Sequence, residues 1–98
     1  MPSQIKQSEK KTESYLVEQV NKRGGMCIKL LPFLLAGLPD RLVLLKGYMC
    51  FVETKSEGEK PRKIQLYMHN KIRALGFDVC VIDKKEQVDN LMKEYERR

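Results

Sequence analysis

The sequence predicts a single small α/β domain, and three observations predict it. The chain has 98 residues, enough for one hydrophobic core and too few for two. Apolar runs of strand length and segments of helical periodicity follow one another in the order helix, three strands, helix, strand, helix. Two consecutive runs are apolar on both faces, so their sheet needs cover on both sides, by helices or by a partner subunit. We treat residues 1–98 as one domain.

The first predicted helix follows a polar start. Residues 1–9 are polar and charged, and we expect them to be flexible. From about Lys11 to Arg23 the apolar residues recur at helical spacing, and Gly24-Gly25 ends the helix.

Three strands come next. "MCIKLL" (26–31) reads as a short strand and "PFLLAGLPD" as a loop punctuated by Pro and Gly. "RLVLL" (41–45) and "YMCFVET" (48–54) are strands joined by a tight turn at Lys46-Gly47. The alternation puts Leu42, Leu44, Met49 and Phe51 on one face of this hairpin and Val43, Leu45, Cys50 and Val52 on the other.

The second half of the chain predicts two helices around one strand. Pro61 opens a helix from Arg62 to Leu75, and Gly76 ends it. "FDVCVID" (77–83) reads as the fourth strand. A charged helix follows from about Lys85 to Arg98, with its apolar residues on one side.

Two acidic residues fall on the facing strands of the hairpin. If the turn has two residues, Leu45 pairs with Tyr48 and the same register puts Asp40 opposite Glu53, with Cβ atoms ~5 Å apart. Lys55 follows Glu53 by two residues and points to the same face. Like charges in this position repel, and a divalent cation held by both would relieve the repulsion better than one lysine. A surface ion-pair cluster is the alternative, and a three-residue loop would shift the register.

A third acid comes from the first helix. At about 100° per residue, Glu13 falls on the face that Leu16, Val17 and Val20 share, and Glu18 falls on the polar side. Glu13 is therefore predicted to point inward. The alternative is an acid that favours the helix N-terminus.

The composition favours an anionic partner. The chain has nineteen Lys and Arg residues and thirteen Asp and Glu residues, which gives a formal charge of +6. Nucleic acid is the commonest partner of such proteins. Cys27, Cys50 and Cys80 lie in apolar runs without a C-x-x-C pair, which predicts reduced, buried cysteines and disfavours zinc. The chain shows neither the apolar core of a signal peptide nor a membrane-spanning stretch, so we expect a cytoplasmic protein without a membrane partner.

Carboxylates without His or Cys pairs suit Mg²⁺, with Mn²⁺ as a substitute. A basic protein with such a site is expected to act on a phosphodiester and to need no small-molecule cofactor. Lys55 would orient or deprotonate the attacking water.

Taken together, Glu13, Gly24-Gly25, "GLPDR", "FVETK" and Gln65 resemble the VRR-NUC family of the PD-(D/E)XK nuclease superfamily, in its stand-alone phage or bacterial form. The resemblance runs from about Glu13 to Asp83. It implies a restriction-endonuclease-like α-β-β-β-α-β core plus a C-terminal helix, with a mixed sheet covered by helices on both faces.

The resemblance also implies roles. Asp40 and Glu53 would bind the metal, with the main-chain carbonyl of Thr54 as a further ligand, while the Thr54 side chain is expected on the opposite face. The implied catalytic residues are Glu13, Asp40, Glu53, Lys55 and Gln65. Glu13 would lie close to the metal, either as a direct ligand or through a water.

By the same resemblance, the protein would be a homodimeric, Mg²⁺-dependent endonuclease that cuts branched DNA such as four-way (Holliday) junctions. The segment Pro32–Leu38 would be a loop over the site or part of the dimer contact. Apart from the resemblance, His69 is predicted to be a partly exposed structural residue, with a catalytic role as the alternative. The basic residues expected to contact DNA are Lys29, Arg41, Lys60, Arg62 and Lys63. The alternatives are a strand-edge ion pair for Arg41 and a solvated charged face for Lys60, Arg62 and Lys63.

Two other functions fit the same chain. One is a non-catalytic DNA-binding accessory of phage replication or repair, and the other is an RNA- or protein-binding module with an incidental acidic cluster. The set of acids with a lysine favours the nuclease, because an accessory gains nothing from opposed carboxylates.

Overall fold

A computed structural model of the protein describes residues 2–31 and 33–98, with side chains described from Gln7 onward; Met1 and Pro32 lie outside the described residues. Seven elements follow in the predicted order. They are α1 (Pro2–Lys22), β1 (Met26–Lys29), β2 (Arg41–Leu45), β3 (Tyr48–Thr54), α2 (Lys63–Ala74), β4 (Val79–Ile82) and α3 (Lys85–Glu96).

The strands form one mixed sheet in the order β1-β2-β3-β4. β2 pairs antiparallel with both β1 and β3, and β4 runs parallel to β3. Leu45 pairs with Tyr48 across the two-residue turn, and the ladder continues to Arg41 and Val52. The predicted register is therefore confirmed, and its extension by one residue brings Asp40 beside Glu53.

Helix α1 begins earlier than predicted. The sequence indicates a start near Lys11, whereas the helix already includes Pro2. Proline suits a first helical position because it lacks the N–H that the first turn leaves unbonded. The expected flexibility of residues 1–9 stays a prediction, since the first turns of a helix can fray in solution.

The main core lies between the sheet and the helices α1 and α3. The hairpin face formed by Val43, Leu45, Cys50 and Val52 is fully buried against both helices, as the alternation predicts. The buried residues of this core are Leu16, Val20, Val43, Leu45, Cys50, Val52, Ile82, Val88, Leu91 and Met92.

Helix α2 covers the other face of the sheet in part. Met68 and Ile72 pack there against Val79 and Phe51. The remaining hairpin residues of this face, Leu42, Leu44 and Met49, are only half-buried. Within residues 2–31 and 33–98, no helix has the length and apolar character that a membrane crossing requires.

Candidate active site

The predicted acids meet where the β2–β3 hairpin reaches α2. Asp40 immediately precedes β2, and the fully buried Pro39 anchors the chain there. Glu53 lies near the end of β3 and is only 1% exposed, although glutamate is among the residues least often buried. The site is thus built around one buried carboxylate.

Asp40 is fixed by the end of β3. Its Oδ2 accepts hydrogen bonds from the Thr54 main-chain N–H at 2.8 Å and from the Thr54 hydroxyl at 2.7 Å. The Thr54 side chain, expected on the face of β3 opposite to Glu53, thus contacts Asp40 through its hydroxyl. Asp40 lies outside the regular ladder, so it reaches across to the residue after Glu53. The role of the Thr54 carbonyl as a metal ligand stays a prediction.

The charged form of Glu53 is disfavoured. Burial and, after it, the charge and hydrogen bonding of Asp40 raise the pKa of Glu53, against a lowering by Lys55, to about 8 in total. Two carboxyl groups that close together cannot both ionise freely without a cation. The repulsion predicted from the register is thus present.

Two side chains of α2, Gln65 and His69, contact the carboxyl oxygens of Glu53. Gln65 donates its amide N–H from Nε2 to Glu53 Oε2 at 3.2 Å, and its own Oε1 accepts the Arg62 main-chain N–H at 2.8 Å. Gln65 therefore caps the helix and faces the carboxylate at once. His69 places Nε2 at 3.4 Å from Glu53 Oε1.

His69 differs from its prediction. It is fully buried rather than partly exposed. Gln65, Met68, His69 and Ile72 form the inward face of α2, and the helical spacing alone indicates this. The interpretation as a partly exposed side chain followed from polarity, which is a poor guide when a buried partner such as Glu53 is present.

Lys55 lies beside the acids as predicted. Its side chain is buried, at 8% exposure for the residue, and Nζ is 4.0 Å from Glu53 Oε2. A lysine is rarely buried to this extent without an anionic partner. Its ammonium group is therefore available beside the carboxylate pair.

Glu13 lies in a different contact from the one predicted. Its Oε2 accepts hydrogen bonds from Arg41 Nε at 2.8 Å and from Lys29 Nζ at 3.0 Å. Burial tends to raise the pKa of Glu13, but the hydrogen bonds and charges of Lys29 and Arg41 outweigh this effect. The net result is a lowered pKa for Glu13. Glu13 thus forms a three-residue ion-pair cluster at the side of the site.

Glu9, one turn earlier in α1, is the acid that the sequence analysis missed. Burial raises the pKa of Glu9, as do the charges of Asp40 and Glu59, while Lys55 lowers it. The charge of Glu9 in turn helps to raise the pKa of Glu53. Glu9 is therefore electrostatically coupled to the carboxylate pair.

The donor set suits a hard divalent cation. It offers carboxylate oxygens, and the mutual repulsion of Asp40 and Glu53 is what a cation between them would remove. Among the described residues, no three His, Cys, Asp or Glu side chains converge as a ready cage.

The predicted DNA-contacting residues fall into two groups. Lys29 and Arg41 are held by Glu13. Lys60, Arg62 and Lys63 are exposed and lie at and before the start of α2. Because Gln65 is in the first turn of the same helix, this second group lies near the carboxylates.

Similar proteins are found both by sequence and by structure. No family model matches the sequence. The chain is 44% identical over 75 residues, covering 76% of this chain and 81% of the relative, to "Putative nuclease p44" of Acyrthosiphon pisum secondary endosymbiont phage 1. A solved VRR_NUC domain superposes with a TM-score of 0.81 and 37% identity, over 90% of this chain and 97% of that chain.

Proposed function

Since the chain belongs to the VRR_NUC family and is a nuclease, we propose that it is a divalent-metal-dependent endonuclease that cuts branched DNA, such as a four-way junction, as a homodimer. The observation that carries the proposal is the buried Glu53, raised in pKa by Asp40, with Lys55 beside it on a protein of formal charge +6. A buried acid with a second carboxylate beside it destabilises a domain unless the pair binds something.

We assign Mg²⁺ to the Asp40–Glu53 pair, with Mn²⁺ as a substitute. The Thr54 main-chain carbonyl is proposed as a further ligand. When bound, the ion would supply Lewis-acid polarisation of a phosphoryl oxygen. Asp40 is pre-oriented for this role by its two hydrogen bonds from Thr54.

The remaining chemistry belongs to Lys55 and Gln65. We propose that the Lys55 ammonium orients the attacking water and stabilises the negative charge that develops on the phosphate. Gln65 is proposed to hold the Glu53 carboxylate through its amide N–H. Both side chains lie on regular elements, which keeps their positions more precise than a loop would.

We propose Glu9 as the α1 acid nearest to the cation, a role that the sequence analysis gives to Glu13. Its electrostatic coupling to Asp40 and Glu53 supports this assignment. Glu13 would instead hold Lys29 and Arg41 at the side of the site. These two residues, with Lys60, Arg62 and Lys63, are proposed to contact DNA phosphates.

The proposed homodimer would use an exposed apolar patch, defined here as Leu31, Phe33, Leu34, Leu35, Ile64 and Tyr67. Phe33 is 80% exposed and Leu34 is 60% exposed. The loop packs closely on α2, because a Cβ added to Gly37 would lie 2.3 Å from the Ile64 carbonyl oxygen. Contiguous exposed apolar surface commonly marks a protein interface, and two symmetric cuts call for two sites.

The three cysteines are free thiols in the structure. Unpaired cysteines are typical of reducing compartments. We therefore propose that the nuclease acts in the cytoplasm of a bacterial or phage-infected cell.

A cleavage panel tests the function. Four-way junction, flap, nicked and linear duplex DNA are incubated with Mg²⁺ or Mn²⁺ and the wild type, Asp40→Asn, Glu53→Gln or Lys55→Ala. We expect the junction to be cut by the wild type. Each variant should lose on the order of 100-fold or more in kcat, with DNA binding by the two acid variants unchanged or tighter.

Two outcomes contradict the proposal. A wild type that leaves all four substrates intact with both metals rules out the nuclease on branched DNA. If the protein binds junctions equally well with and without metal, and Asp40→Asn changes nothing, it is a non-catalytic accessory.

A further inference from the structure

We propose that His69 is a positioning residue: it fixes the direction of the Glu53 carboxylate and so sets the affinity of the site for its divalent cation. The inference rests on the proposed function in that it takes Glu53 to bind a cation. It adds a residue to the site for which the sequence indicates only a structural role.

The geometry divides the two oxygens of Glu53 between two donors. Gln65 and His69 are four residues apart and therefore share one face of α2. The nitrogen of Gln65 lies 3.2 Å from Oε2, and that of His69 lies 3.4 Å from Oε1. One donor leaves a carboxylate free to rotate about its last side-chain bond, whereas two donors on different oxygens fix that rotation.

The burial of His69 indicates that its contact with Glu53 does more than fill space in the core. The side chain is fully buried, and its Nδ1 has no hydrogen-bond partner among the described residues. A buried polar atom without a partner destabilises a fold. An apolar residue, like the neighbouring Met68 and Ile72, would pack at this position without that loss, so packing alone does not account for a histidine.

The two ring nitrogens of His69 have different surroundings. Nε2 faces Glu53 Oε1, whereas Nδ1 has no hydrogen-bond partner among the described residues. A neutral imidazole has one N–H, and with that proton on Nε2 it donates to Glu53. We assign the proton to Nε2 on this geometry.

Three substitutions separate the two ring nitrogens. His69→Gln carries an amide nitrogen near the position of Nε2, His69→Asn carries one near the position of Nδ1, and His69→Leu carries neither. Mn²⁺ affinity is measured by calorimetry on the whole chain without DNA, and kcat and KM are measured on a four-way junction.

We expect His69→Leu and His69→Asn to bind Mn²⁺ about 10- to 100-fold more weakly, as for the loss of a residue that orients a metal ligand. Their kcat at a fixed Mn²⁺ concentration should fall while KM for DNA stays the same. His69→Gln should recover most of the Mn²⁺ affinity. If His69 had only a structural role, His69→Gln and His69→Asn would have no reason to differ in Mn²⁺ affinity.

Ile72→Ala is the matched control. Ile72 lies on the same buried face of α2, among Met68, Val79 and Phe51, so its truncation lowers stability without removing a donor to Glu53. We expect a lower Tm with unchanged Mn²⁺ affinity. An equal loss of affinity in Ile72→Ala and His69→Leu would overturn the inference, as would wild-type affinity in His69→Leu or no recovery in His69→Gln.

The two proposals fail separately. If the wild type cuts no DNA but the Mn²⁺ affinities follow the expected order, the positioning role stands and the nuclease proposal does not. If the wild type cuts junctions and His69→Leu matches it in every measurement, only the positioning role is overturned. A wild type without Mn²⁺ binding overturns both.

Discussion

Glu53 carries a carboxyl group at a position where its charged form is disfavoured. Its pKa of about 8 lies above the ordinary value of 4.5 because of burial, then because of Asp40. The folded protein therefore holds a proton that the unfolded chain releases above pH 4.5, and this contribution to stability is lost as pH rises towards 8. His69 has a lowered pKa, so its own opposite contribution is complete above 6.5.

The raised pKa of Glu53 predicts that the metal-free protein becomes less stable between pH 6.5 and 8. The free energy of unfolding, from urea titrations in EDTA, should fall across this range in the wild type. It should fall less in Glu53→Gln, and the difference between the two isolates Glu53. Mg²⁺ should restore stability at pH 8 by favouring the ionised form. Identical pH profiles for the two proteins would show that Glu53 ionises normally.

The two acids of α1 give a second prediction. Glu9→Gln should lower kcat by roughly 10- to 100-fold, because it removes a carboxylate coupled to the metal-binding pair. Glu13→Gln should leave kcat largely intact and alter DNA binding, because it releases Lys29 and Arg41. Single-turnover cleavage and salt-dependent binding distinguish the two effects. An inactive Glu13→Gln beside an active Glu9→Gln would reverse the assignment.

Glu9 is an inward-facing acid of α1 that the sequence could have predicted. With the helix extended by one turn, Glu9 falls roughly 20° from Leu16 on a helical wheel, closer than Glu13 at roughly 60°. The prediction missed it because polar residues 1–9 were expected to be flexible. The ion pairs of Glu13 could not be predicted, since they depend on how α1 lies across β1 and β2.

At the scale of the elements, the strands follow the sequence closely. β2 and β3 have the predicted bounds and register, because alternation, a two-residue turn and burial all favour one pairing. Helix ends are less predictable, since polar residues give a weak signal at a terminus. Helical spacing indicates the inward face of α2, but the contact between His69 on that face and the buried Glu53 depends on how α2 packs against β3.

The loop before Asp40 depends on its contact with α2, and Gly37→Ala tests that contact. Gly37 has φ +80°, and an added Cβ would lie 2.3 Å from the Ile64 carbonyl oxygen. Gly24→Ala is the control, because Gly24 has a similar φ of +76° but open space around it. We expect Gly37→Ala to cost about 1–3 kcal/mol more than the control, measured by chemical unfolding. Equal losses would mean that the loop does not need the close approach.

At the scale of the whole molecule, part of the apolar surface stays uncovered. Helix α2 covers only part of its face of the sheet, and the apolar patch from Leu31 to Tyr67 extends this surface beside the site. We predict that Phe33→Ser combined with Leu34→Ser shifts the protein from dimer to monomer in sedimentation velocity. It should also abolish paired cuts at a junction and retain single nicks.

Leu75→Ser is the control for the dimer. Leu75 is 75% exposed at the opposite end of α2 from Ile64, so it removes exposed apolar area away from the patch. We expect it to remain dimeric. A wild type that sediments as a monomer at micromolar concentration, or a double variant that stays dimeric, would refute the patch as the interface.

The division of the site between a hairpin and a later helix bears on how the protein matures. Asp40, Glu53 and Lys55 come together through contacts close in sequence, which form early in folding, whereas Gln65 and His69 reach Glu53 only after α2 docks and β4 pairs with β3. A nascent chain with a completed hairpin and no docked α2 thus carries its acids without their supporting donors. We therefore expect cutting competence to appear only with the last tertiary contacts.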